Sequence, residues 1–146
     1  MKIFYYMRRF WEIPSLEKRL LVKSLIISTI YSFIIHFIPL KYYSISLTSS
    51  PESHTHQKDA GKIIYLIRKT IKRTNIILPW QNTCLIKSLT FKYLSKDFGL
   101  YCKIAIEVFK GRTNKLQAHA YILYDNEPVY LHRKNIQEIL AYRAAK

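Results

Sequence analysis

Glycine is nearly missing from this chain: Gly61, Gly99 and Gly111 are the only three in 146 residues. Loops that cradle phosphate need clustered glycines so that backbone N–H groups can approach the anion. With none clustered, a P-loop and a dinucleotide fingerprint are both excluded. No cofactor is expected to bind directly, and any nucleotide dependence would enter through a partner. Cysteine is as scarce, with only Cys84 and Cys102. Two thiols make neither a disulfide framework nor, alone, a structural zinc site, so a reduced, cytoplasmic chain without a metal is expected. Acidic residues number 9 against 24 basic ones, a formal charge of +15. So lopsided a balance implies an anionic partner: an acidic peptide, a membrane surface, a nucleotide or a nucleic acid. The basic residues are spread along the chain, without an RNP-like aromatic motif or zinc-finger spacing, which disfavours nucleic acid. What the chain does have is 49% hydrophobic residues, enough for one packed domain of this length.

The N-terminal third is the greasiest part. Residues 16–39 carry Leu25-Ile26-Ile27, Ile34-Ile35 and Phe37-Ile38, with Arg8, Arg9, Lys18 and Arg19 before them and Lys41 after. The uncharged run over 24–35 falls short of the ~20 residues that span a bilayer, and Ser24, Ser28, Thr29, Ser32 and His36 dilute it. A long basic preamble and no clean small-residue cleavage site fit a secretory signal poorly. The expectation is a buried or partner-facing helix, with contact to a membrane surface as the alternative. Pro14-Ser15 marks its start and Pro39 its stop. Residues 42–57 have linker composition, and His54 and His56 within them read as solvated loop histidines rather than metal ligands. A second helix is expected over 58–74, with Ile63, Leu66, Ile67 and Ile71 inward and Lys58, Lys62, Lys69 and Arg73 on a solvated outer face.

The chemistry lies in residues 78–98. Pro79 ends the preceding element, and Asn82 or Thr83 can cap a new helix. Cys84 then falls in its first turn, where free backbone N–H groups and the helix dipole favour an anion, whether a thiolate or an oxyanion. Leu85, Leu89, Tyr93 and Leu94 are expected to pack this helix, and Gly99 to cap it. Trp80 and Gln81 lie just upstream as candidate substrate and oxyanion contacts. Residues 101–109 alternate as a half-buried strand with Cys102, Ile104, Ile106 and Val108 on the apolar side, which makes Cys102 a core residue. A loop over 110–115 closes a hairpin, and the returning strand over 116–124 carries His119 between the small Ala118 and Ala120. A turn over 125–128, a third strand over 129–132 and a short helix over 136–142 complete the reading. A thiol opening a helix and an imidazole held on a rigid strand are what nucleophilic thiol catalysis requires.

Trp80, then Cys84-Leu85-Ile86-Lys87-Ser88-Leu89, Gly99, a hairpin and Ala118-His119-Ala120-Tyr121 resemble the leader peptidases of lasso-peptide biosynthesis. These are the stand-alone maturation "B" proteins, with a transglutaminase-like, papain-related core. The resemblance implies an α+β fold: N-terminal helices over 1–41, a linker over 42–57, and a core over 58–146 with the nucleophile helix packed on a small antiparallel sheet. It implies Cys84 as nucleophile and His119 as general base and acid. It further implies a ribosomally made precursor peptide as substrate, a small leader-recognition protein as partner, and an asparagine-synthetase-like cyclase acting on the product. One element of the family pattern is missing. The Asp expected about a dozen residues after the histidine is replaced by Val129-Tyr130-Leu131-His132-Arg133. Asp125 and Glu127 fall in the turn, too near its tip. His132 or Asn135 is then the candidate to orient the ring, a backbone carbonyl is another, and weak or lost activity is the third reading. An inactive scaffold in the same complex, a transferase using the same thioester, and a basic nucleic-acid-binding domain are the rival functions.

Overall fold

A computed structural model of the chain describes residues 14–38, 59–80, 83–110 and 116–130. Three helices precede a three-stranded antiparallel sheet, an α+β arrangement: α1 (Ser15–Phe37), α2 (Ala60–Ile77), α3 (Cys84–Lys96), β1 (Lys103–Lys110), β2 (Leu116–Tyr124) and β3 (Glu127–Tyr130), with sheet order β1-β2-β3. The expected linker, the β1–β2 loop and the C-terminal helix lie outside the described residues.

Pro14 opens α1 as its residue type predicts. Its φ of −53° suits a helix entry, and its carbonyl accepts the Lys18 N–H at 3.0 Å. At the other end Ile38 turns extended, as a residue before proline tends to. The helix is 23 residues long and, by length and composition alone, apolar enough to cross a membrane, though its uncharged run over 24–35 is shorter than a span.

Both faces of α1 carry apolar residues, with Leu20, Leu21 and Ile27 on the buried side. Its buried side includes Ser24 and Ser28, whereas Val22, Ile26, Ile30, Phe33 and Phe37 form an exposed stripe four turns long. The buried hydroxyls are satisfied across helices. The Thr74 hydroxyl reaches Ser24 Oγ at 2.9 Å, and Ser28 Oγ lies 3.1 Å from Thr90 Oγ1. Thr90 donates its single proton to the Ile86 carbonyl, so Ser28 is the donor to Thr90. Small hydroxyl residues let the three helix backbones approach closely while leaving these polar atoms hydrogen-bonded.

In α2, Ile67 and Ile71 are buried as expected, with Ile63 and Leu66 partly so. The outer basic face departs from expectation. Lys69 and Arg73 are not simply solvated: they bond Glu17 of α1, at 3.1 Å and 2.7 Å. Burial of the Glu17 carboxyl would by itself raise its pKa, but the two hydrogen bonds and two positive charges outweigh it and hold the group below its ordinary value. A depressed carboxylate contributes stability above its unfolded-state pKa and loses it as pH falls through the folded value. Glu17→Gln is therefore expected to lower unfolding free energy by roughly 1–2 kcal/mol at pH 7, the two cations being about one-third exposed. The gap to wild type should close on acidification below the ordinary carboxylate range, read by urea denaturation at a series of pH values.

The face of α3 is also rotated from expectation. Ile86, Ser88, Thr90, Phe91, Leu94 and Ser95 are buried, while Tyr93 is 42% exposed with the Lys23 ammonium over its ring. Gly99, at φ +68°, ends the segment as expected, and the Leu100 N–H returns to the Ser95 carbonyl. One core joins all layers: Leu20 from α1, Ile67 and Ile71 from α2, Phe91 and Leu94 from α3, Cys102 ahead of β1, and Ile122 from β2. The β2–β3 turn is tighter than expected. Asp125 and Asn126 both adopt positive φ, the two-residue hairpin geometry, so β3 starts at Glu127 rather than at residue 129. Pro128 is accommodated because, among the described residues, β3 is an edge strand with an irregular register opposite Ile122 and Leu123.

Candidate active site

Thr83 sets the start of α3. Its backbone is extended at ψ 163°, its side-chain oxygen accepts the Ile86 N–H at 3.4 Å, and its carbonyl accepts the Lys87 N–H at 3.1 Å. Of the two expected caps it is Thr83 that serves; Asn82 lies outside the described residues. Cys84 is then the first helical residue, half-buried. Helix geometry leaves its own amide and that of Leu85 without an intrahelical carbonyl. No acidic residue stands in the first turn to offset the positive end of the dipole. The N–H groups at this helix start are placed to stabilise an oxyanion formed on a carbonyl that the thiol attacks.

The second cysteine has a different environment. Cys102 is 2% exposed in the core, where burial pushes its thiol pKa up, a hydrogen bond with Ser95 and the charge of Lys92 offsetting this only in part. It is a packing residue, as its place in the alternating pattern predicts.

His119 lies within β2 and is 5% exposed. α3 packs across β2 and, less extensively, β1. The β1–β2 register is unbroken, so faces can be assigned by alternation. His119 and Tyr121 occupy one face. Ile122, which joins Phe91 and Leu94 in the core, occupies the other.

One residue that sequence reasoning passed over appears here. Glu107 of β1 is the direct cross-strand partner of His119, and its Oε1 accepts the Tyr121 hydroxyl at 3.1 Å. Its signal in the sequence was weak, a place on the polar side of the β1 alternation, because pairing with a particular β2 residue depends on hairpin register. Asp125 is at the turn tip and Glu127 pairs with Tyr124, roughly 16 Å along the strand from His119 at ~3.3 Å per residue. Trp80 is 39% exposed ahead of α3. Gln81, His132 and Asn135 lie outside the described residues, as do His54 and His56. Among the described residues no group of three His, Cys, Asp or Glu is placed to hold a metal ion.

Comparison with known families adds one finding: residues 40–141 match the family described as the transglutaminase-like superfamily. No curated protein and no solved structure gives a significant match.

Proposed function

As a member of the transglutaminase-like superfamily, whose members are broadly cysteine peptidases and transglutaminases, the chain has the fold of a thiol enzyme, and we propose that it is a cysteine peptidase that removes the leader from a ribosomally made lasso-peptide precursor. The observation that carries this reading is a single half-buried cysteine opening a capped helix, packed on the strand that bears the histidine. Cys84 Sγ attacks the scissile carbonyl, the oxyanion is met by N–H groups at the start of α3, and His119 protonates the leaving amine. Water then hydrolyses the thioester and returns the thiol.

The exposed stripe of α1 supports docking of a separate leader-recognition protein. Contiguous large apolar side chains on a charged chain mark an interaction surface, and the +15 charge suits an acidic leader or partner. An asparagine-synthetase-like cyclase would then close the freed core peptide. The test mixes the chain, its recognition protein and the precursor, with leader release followed by mass spectrometry. Double substitution of Ile30 and Phe33 by glutamate is expected to weaken complex formation at least tenfold with the fold retained by circular dichroism. Unchanged complex formation, with binding to anionic vesicles lost instead, would assign the stripe to a membrane surface.

A specific observation favours a second reading. Alternation sets His119 on the face of β2 opposite Ile122, the residue that packs against α3. That arrangement suits an inactive scaffold in the same complex. Leader release by the wild-type chain separates the two.

A further inference from the structure

We propose that Glu107 is the positioning residue for His119, taking from the preceding strand the part that the missing Asp would play from the following one. This rests on the thiol-peptidase reading above.

The register sets the geometry. Glu107 and His119 are directly paired, so their side chains leave the same face of the sheet with Cβ atoms about 4.5–5.5 Å apart. A glutamate side chain reaches an imidazole across that gap. Tyr121, the diagonal neighbour on the same face, donates its hydroxyl to Glu107 Oε1 at 3.1 Å and so fixes the carboxylate's rotamer. A carboxylate can accept at both oxygens, so the bond from Tyr121 at Oε1 is compatible with one from a ring N–H of His119. With one nitrogen bound to the carboxylate, the peptidase reading assigns the other to the Cys84 thiol, and the imidazolium formed on proton transfer is stabilised by a neighbouring anion. The near-complete burial of His119 strengthens that attraction by excluding water.

The other described carboxylates are unsuited. Glu17 is bonded to Lys69 and Arg73, Asp59 to Lys62, and Asp97 to Lys23. Asp125 and Glu127 stand at the far hairpin end. On the same face, the other titratable groups in β1 and β2 are Lys103 and Tyr121, and the described residues of β3 pair only with Ile122, Leu123 and Tyr124.

The test needs no substrate. Iodoacetamide alkylation of Cys84 is followed by mass spectrometry of its peptide from pH 5 to 9, in the full chain and in its His119→Ala, Glu107→Gln, Glu107→Asp and Tyr121→Phe variants. Wild type should keep a fast rate at pH 6 that His119→Ala loses. Glu107→Gln should slow alkylation at pH 6 about tenfold and leave the pH 9 rate unchanged. Glu107→Asp, which keeps the charge, should recover most of the rate even if Glu107→Gln folds poorly. Tyr121→Phe should cost less than Glu107→Gln. A wild-type pH 6 rate in Glu107→Gln, with His119→Ala still slow, would overturn the role of Glu107 alone. Identical profiles for wild type and His119→Ala would overturn the thiol–imidazole reading, and the Glu107 assignment with it.

Discussion

Replacing Cys84 by alanine is expected to cut leader release by about 10³-fold or more, since loss of a nucleophile leaves only binding and oxyanion stabilisation to speed the reaction. Cys84 is a small, half-buried residue at the first position of α3. Alanine is a good helix former there, so neither the cap at Thr83 nor the packing of Ile86 and Phe91 should change. Precursor binding and the unfolding midpoint should therefore match wild type while the mass-spectrometric signal for freed leader disappears. His119→Ala should also be slow, since the leaving amine then has no positioned acid to protonate it. Equal processing by Cys84→Ala and wild type would leave the chain as a scaffold and assign the cut to another protein.

Phe91→Ala should be the most damaging substitution to the fold. Phe91 is fully buried in the cluster that contains Leu20, Ile67, Ile71, Leu94, Cys102 and Ile122, so its ring is shared by three helices and the sheet. Truncation loses its transfer free energy and leaves a cavity, together about 3–5 kcal/mol, against a total of roughly 5–15 kcal/mol for a domain. Urea denaturation should show a large fall in midpoint with an unchanged slope. Tyr93→Ala, two residues along the same helix, is the control. Its side chain is 42% exposed and meets the Lys23 ammonium 5.3 Å from the ring centre. A loss of only about 0.5–1 kcal/mol is expected there. Reversal of the two effects would mean that α3 turns its other face to the core.

That contrast shows where sequence reasoning stopped. Residues Leu85, Ile86, Leu89, Phe91, Tyr93 and Leu94 place apolar groups around much of α3, and no single stripe is marked. The stripe that is inward mixes Ile86, Phe91 and Leu94 with hydroxyl residues. Thr90 bonds Ser28, and the buried side also includes Ser88 and Ser95, polar types that a hydrophobicity pattern sends to the surface. The same bias made α1 a buried or partner-facing apolar helix in prospect, whereas its buried side mixes Leu20, Leu21 and Ile27 with Ser24 and Ser28, and its exposed side carries Val22, Ile26, Ile30, Phe33 and Phe37. β2 was easier. A strand over 116–124 was expected and is found, because strand-favouring residues and the turn that ends it at Asp125 and Asn126 are local.

The sequence by itself determined the short-range features: the helix start at Pro14, the Thr83 cap with Cys84 after it, the stop at Gly99, the β2 strand with His119, and the core place of Cys102. Each follows from backbone preferences and hydrogen bonds within a few residues. Only the tertiary structure decided which charges meet and which faces are paired. Glu17 finds Lys69 and Arg73 across a separation of 52 and 56 residues, and Glu107 faces His119 through a register set by hairpin closure. Those pairings depend on how the layers close on one another, and a one-residue slip in register would place every β1 side chain on the other face.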